Sequence, residues 1–187
     1  MVEVYGKEAK LDIIVYMKDV AIRKITLKDT DKIVKWRNSP AVMNNFIVRN
    51  KLTKKQHIDW LNNKVKIGKV VQFIAVDKVN NVDFATTYLK DIDKLHKKAE
   101  FGIFIGEADY RHKNYGQLIT RLTLDYAFNK LKLNKVYARV LNYNKPSYNL
   151  FKKLGFNRDA ILREDVYING HYEDVYIMSL LKFEYKK

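Results

Sequence analysis

The sequence predicts an α+β fold in the order β-meander, helix, strand, helix, hairpin. Two observations carry it. Short β-rich runs at 70–77, 82–92 and 98–106 are joined by polar turns, and after them apolar spacing changes to a helical stripe at Ile119, Leu122, Tyr126 and Leu133. The 187 residues suit a single domain spanning 1–187, since no Pro/Gly/Ser-rich linker and no internal repeat divides them.

Taken in order, residues 12–16 and 20–25 read as short strands. Thr26 and Asp29 have capping-box spacing before a first helix ending near Asn38-Ser39-Pro40. Thr53 and Gln56 form a second such box, and His57, Trp60 and Leu61 then fall on one helical face. After the meander, a loop from Glu107 to Gly116 leads into the amphipathic central helix. Residues 135–141 read as a strand and 144–156 as a helix closed by Gly155, and the final hairpin turns on Asn169-Gly170.

Composition narrows the partners. The chain has no cysteine, which excludes disulfides and thiolate chemistry and fits a reducing compartment, with the cytoplasm as the default. Charges interrupt every apolar run, so neither an export signal nor a membrane span is expected. A net charge of +15 argues for an anionic partner, although 28 of the 36 basic residues are lysines spread along the chain, as on an ordinary lysine-rich surface. A nucleic-acid-binding domain would explain the charge, but there is no RNP1-like aromatic-basic signature and no finger spacing.

Three segments carry chemistry: Glu100-Phe101-Gly102-Ile103-Phe104-Ile105-Gly106, Arg111 to Gly116 opening a helix, and Asn144 with Ser147, Leu154, Gly155 and Phe156 after a strand. In this order they resemble the GNAT acetyltransferases over about residues 22–183. The resemblance implies a mixed, mostly antiparallel central sheet with helices on both faces and a splayed pair of central strands. It also implies direct transfer of acetyl from acetyl-CoA to a primary amine, with no metal. A helix N-terminus with converging backbone N–H groups is an anion site, and Arg111, His112, Lys113, Asn114, Tyr115, Gly116 and Gln117 would hold the pyrophosphate there. Asn114 replaces the family's first glycine, and asparagine is the non-glycine residue that best tolerates a left-handed backbone. The resemblance further places Asn144 and Ser147 on the pantetheine arm, and main-chain groups of Ile103, Phe104 and Ile105 beside the thioester.

For catalysis, Glu100 is the best-placed carboxylate to take the amine proton. The tyrosine that many family members place seven residues after the asparagine, as acid for the leaving sulfur, is Phe151 here; Tyr148 lies one turn earlier and is the candidate substitute. Asp83 stands where the family often has glycine. These departures keep open a degenerate protein that binds CoA without turning it over. A thiol with an ordinary pKa of ~8.5 also leaves tolerably without an acid.

On the acceptor side, Trp36-Arg37-Asn38, Met43, His57 and Trp60 resemble the branch that acetylates nucleotide-linked amino sugars, the pseudaminic-acid-pathway enzyme among them, and more loosely the ribosomal-protein N-terminal acetyltransferases. Arg37, Asn38, Met43, His57 and Trp60 are therefore candidate acceptor-binding residues, and a nucleotide-linked amino sugar is the expected acceptor. A peptide α-amine is the alternative. A polyamine needs an acidic groove, which a +15 chain supplies only by segregating its charge. A homodimer is compatible with all of these.

Overall fold

The computed structural model describes residues 13–17, 19–111 and 113–186. The described residues form an eight-stranded sheet in the order β1-β2-β3-β4-β5-β6-β8-β7. The strands are β1 (Ile13–Met17), β2 (Val20–Lys24), β3 (Val71–Asp77), β4 (Val82–Asp93), β5 (Lys98–Ile105), β6 (Lys135–Leu141), β7 (Asn157–Ile168) and β8 (His171–Leu181). Every neighbouring pair is antiparallel except β5 and β6. The first expected strand was placed at 12–16; its first residue lies outside the described residues.

Helices α1 (Thr30–Arg37), α2 (Pro40–Met43) and α3 (Lys54–Trp60) cover one face of the sheet, and α4 (Tyr115–Asp125) with α5 (Lys145–Lys153) the other. Alternation along the strands divides the core accordingly. Phe73 and Ala75 of β3 face α4, while Ile74 and Val76 meet Trp36 of α1 and Leu61 beyond α3. On α4 the apolar stripe puts Ile119 and Leu122 fully out of water.

Local chemistry accounts for the boundaries. At α3, Gln56 N–H donates to Thr53 Oγ1 at 3.2 Å and Thr53 N–H to Gln56 Oε1 at 2.9 Å, a complete capping box. Thr26 and Asp29 form the other box around a short 3-10 turn that precedes α1. α5 ends with Gly155 at φ 88, Phe156 N–H donating to Phe151 O and Gly155 N–H to Lys152 O, the Schellman pattern. Asn169 and Gly170 both take positive φ, 52 and 90, as a two-residue turn of the twisted hairpin requires.

Asp83, the departure from the family's glycine, has a structural role here. Its Oδ2 accepts from Arg23 and from Lys32, both at 2.6 Å, and Arg23 also pairs with Asp29 at 2.7 Å. This cluster ties β2, β4 and α1 together. Burial opposes the charge on Asp29, but hydrogen bonds from Arg23 and Thr26 hold its carboxyl below the usual range. Its contribution to stability is therefore present above its unfolded pKa, near 4, and is lost as pH falls through the lower folded value. Asp29→Asn should lower stability by about 3 kcal/mol at pH 7, because it strands part of a buried charge, and should flatten the loss of stability below about pH 4. Urea midpoints across pH 2–7 check this; an unchanged acid limb would rule it out.

Candidate active site

The site begins where two strands part. β5 pairs in parallel with β6 only at Lys98↔Lys135, Ala99↔Val136 and Glu100↔Tyr137. Beyond that vertex β5 continues to Ile105 on β4, and β6 continues to Leu141 on β8. The edge of β5 that faces β6 is left open for five residues, about 16 Å of strand. Phe101 packs edge-on to Phe151 of α5, with ring centroids 5.9 Å apart, beneath this cleft.

At the open end lies the loop to α4. Asn114 sits at φ 62, ψ 1, the left-handed conformation its residue type was expected to tolerate, and serves as N-cap of α4. Its carbonyl accepts from Gln117 N–H, and its side chain accepts from Gln117 Nε2 at 3.1 Å. The first-turn N–H groups of α4, those of Tyr115 and Gly116 among them, lack helical partners and point toward an incoming anion. Across the cleft from Gly116, 3.6 Å from the position a Cβ would take, is Leu150 of α5. Tyr115 packs against Tyr110 and Phe84, and Lys113 is exposed. His112 lies outside the described residues.

Arg111 anchors the loop. Its guanidinium donates to Ile105 O at 3.2 Å and Gly106 O at 2.9 Å, clamping the end of β5 to the loop. Behind the loop a cavity of about 390 Å³ is lined by Asp77, Glu107, Asp109, Tyr110, Lys113 and Tyr115. Its three carboxylates repel a pyrophosphate, which leaves the helix N-terminus as the favourable anion surface.

On the far wall, Asn144 Oδ1 accepts from Ser147 N–H at 3.2 Å and caps α5. Ile103 and Ile105 turn their side chains toward α4, whereas Phe104 points to the α1 face and meets Phe46 at 5.6 Å. Glu100 points to that same face and pairs with Lys90 at 3.0 Å. Around it lie Tyr88 and Tyr137; burial raises the pKa of Tyr137, and the charges of Glu100 and Asp91 raise it further.

Several expected residues are engaged elsewhere. Tyr148 packs its ring on Tyr176 of β8, 5.8 Å away, and lies with it against the core cluster that contains Phe101, Val136 and Phe151. His57 is 2% exposed and joins α3 to α1 through Thr30 Oγ1 at 3.1 Å, so it is sealed from any acceptor. Burial lowers its pKa, and Asp29 opposes that only in part, so it stays neutral. Trp60 donates to Gln72 Oε1 at 3.0 Å in the core beneath α3. Asn38 exchanges hydrogen bonds with the backbone of Leu52, both at 2.8 Å, and so shapes the loop between α2 and α3. Met43 is half-buried at the end of α2.

Arg37 remains available in part. It is 9% exposed, stacks 3.7 Å from the centre of Phe46, and donates through Nη2 to Val48 O, while its buried Nη1 has no partner. Two further residues shape this strand: Trp36, read from sequence only as part of the acceptor-side likeness, and Tyr88, which sequence reasoning missed. Trp36 lies where a side chain on Gly106 would stand and donates to Glu107 at 2.8 Å, fixing the end of β5. Tyr88 crosses Gly102. The signal for both was a glycine, Gly102 in β5 and Gly106 just past its end, legible only once their neighbours are known.

A splayed parallel pair in an otherwise antiparallel sheet, with a helix N-terminus at its mouth, is the arrangement that the resemblance implied for a CoA thioester. The model of the acetyltransferase (GNAT) domain matches residues 19–157, and the chain belongs to that family. It is an N-acetyltransferase that uses acetyl-CoA as co-substrate. It is 28% identical over 173 residues to an uncharacterized N-acetyltransferase, p20, of Bacillus licheniformis, covering 91% of this chain and 97% of that one. It is 32% identical over 114 residues to the spermidine N(1)-acetyltransferase of Vibrio cholerae, covering 61% of this chain and 65% of that enzyme. A crystal structure of spermidine N-acetyltransferase from Vibrio cholerae, in complex with CoA and spermine, superposes with a TM-score of 0.84 at 24% identity over 90% of this chain and 99% of that one, a likeness of fold. Among the described residues no helix is long and apolar enough to cross a membrane, and no cluster of metal-ligating residues occurs.

The loop geometry has a direct consequence for cofactor affinity. Asn114→Val should weaken acetyl-CoA binding about tenfold, because a β-branched residue resists positive φ, while Asn114→Gly should match or exceed the natural chain. Calorimetric titration with CoA checks both, and equal affinity of all three proteins would remove the loop from the cofactor site.

Proposed function

We propose that this enzyme acetylates a primary amine on an acceptor that also carries an anionic group. The single observation behind this is Arg37, a buried guanidinium with one unpartnered nitrogen on the acceptor side of the cleft. Burying an arginine without a carboxylate is costly, and an anionic or strongly accepting oxygen on the ligand offsets that cost. The surrounding segment agrees: between Asp31 and Asp59 there are seven lysines and arginines and no carboxylate. The nucleotide-linked amino sugar expected from the sequence is one member of this class.

A polyamine is the second reading. The Vibrio relative supports it, and so do Glu100 and Asp91 flanking the Tyr137 ring, a local acidic spot suited to an ammonium group. The cationic α1–α3 segment weighs against a long polycation.

In either case the chemistry runs alike. The ammonium docks against Glu100, displacing Lys90, and gives up its proton there directly or through water. The freed amine attacks the thioester at the vertex, where a main-chain N–H near Phe104 or Ile105 stabilises the oxyanion by about 3–4 kcal/mol. Thiol release from acetyl-CoA should be measured with a UDP-linked amino sugar, glucosamine 6-phosphate, spermidine and a short peptide. The anionic acceptors should show the highest kcat/KM, and Arg37→Gln should raise their KM at least about tenfold with kcat little changed. A preference for spermidine that survives Arg37→Gln would overturn the proposal in favour of the polyamine.

A further inference from the structure

We propose that Tyr88 is the acid that protonates the departing CoA sulfur, in place of the tyrosine that Phe151 replaces. Tyr88 is on β4, directly opposite Gly102 of β5. Its phenol lies across the strand: its Cζ is 2.1 Å and its hydroxyl oxygen 2.3 Å from where a Cβ on Gly102 would stand. Gly102 is two residues past the last β5–β6 pair, so the hydroxyl reaches the start of the cleft beside Glu100. Among the described residues the hydroxyl has no hydrogen-bond partner, which leaves its proton to a ligand.

Phe151 cannot supply a proton, and Tyr148 is engaged with Tyr176. Burial, with a contribution from Glu100 and against the opposing charge of Arg37, pushes the Tyr88 hydroxyl up to about 12. It therefore holds its proton throughout the neutral range. In the step itself, the amine nitrogen bonds to the acyl carbon, and the C–S bond breaks with its electron pair passing to sulfur. Tyr88 Oη–H gives its proton to that sulfur. The adduct nitrogen loses its second proton as the amide forms; relayed through water, that proton restores the phenol, while the proton first taken by Glu100 passes to solvent. The products are the N-acetyl amine and the neutral thiol, and no further reactant is needed.

The test uses the whole protein and whichever amine in the panel above turns over fastest, so it is independent of which acceptor class wins. Tyr88→Phe should lower kcat with acetyl-CoA at least about 10²-fold, leave KM for acetyl-CoA within about twofold and preserve thermal stability. Gly102→Ala, whose new methyl group displaces the ring, should give a similar loss. The deciding measurement repeats both with the selenoester analogue of acetyl-CoA, whose selenolate leaves without a proton. The deficit should then shrink to within about threefold of the natural enzyme, since acid catalysis is no longer required. A deficit equally large with the selenoester would assign Tyr88 a structural or oxyanion-binding role and overturn the proposal, as would a Tyr88→Phe enzyme of unchanged kcat.

Discussion

Main-chain amides and carbonyls along the open edge of β5 must find partners, and the rest of the molecule is arranged around that demand. A sheet interior normally satisfies both edges of a strand, and a buried backbone group left alone costs about as much as a lost hydrogen bond. Here β6 leaves β5 after Glu100↔Tyr137 and spends its remaining hydrogen bonds on β8. The cleft is therefore a wedge of unsatisfied backbone, and an extended ligand with amide groups of its own, such as a pantetheine arm, complements it.

Keeping that wedge open depends on side chains that are not themselves reactive. Trp36 and Arg111 grip the end of β5 from opposite sides, one through the space left by Gly106 and the other through the carbonyls of Ile105 and Gly106. Phe151 and Phe101 fill the volume beneath the cleft, and the Arg23–Asp29–Asp83–Lys32 cluster locks the α1 face to the sheet. The phenylalanine in place of a tyrosine thus contributes packing, and the proposed acid sits on β4 instead of α5.

Much of this was legible in the chain. Capping boxes at Thr26 and Thr53, the Gly155 stop and the Asn169-Gly170 turn are local devices, and each falls where its chemistry requires. So was the left-handed turn at Asn114. What could not be read is whatever depends on register. Tyr88 and Gly102 are fourteen positions apart, and a bulge between Lys90 and Asp93 decides that they meet. Burial was equally hidden. His57, Trp60 and Asn38 have the residue types of a binding site, but His57 bonds Thr30, Trp60 bonds Gln72 and Asn38 fastens a loop, contacts that no local pattern announces. Arg37 has the same appearance in sequence, and like His57 it keeps one buried nitrogen without a partner, but as a guanidinium it carries a permanent charge there.

The central claim is that acetyl-CoA completes the unpaired edge of β5 and the first turn of α4. Hydrogen exchange at single-residue resolution, with and without CoA, tests it directly. Amides of residues 102–105 and 115–117 should gain protection together on binding, while β1 to β3 change little. Protection confined to other surfaces, with both of those segments unchanged, would contradict the account.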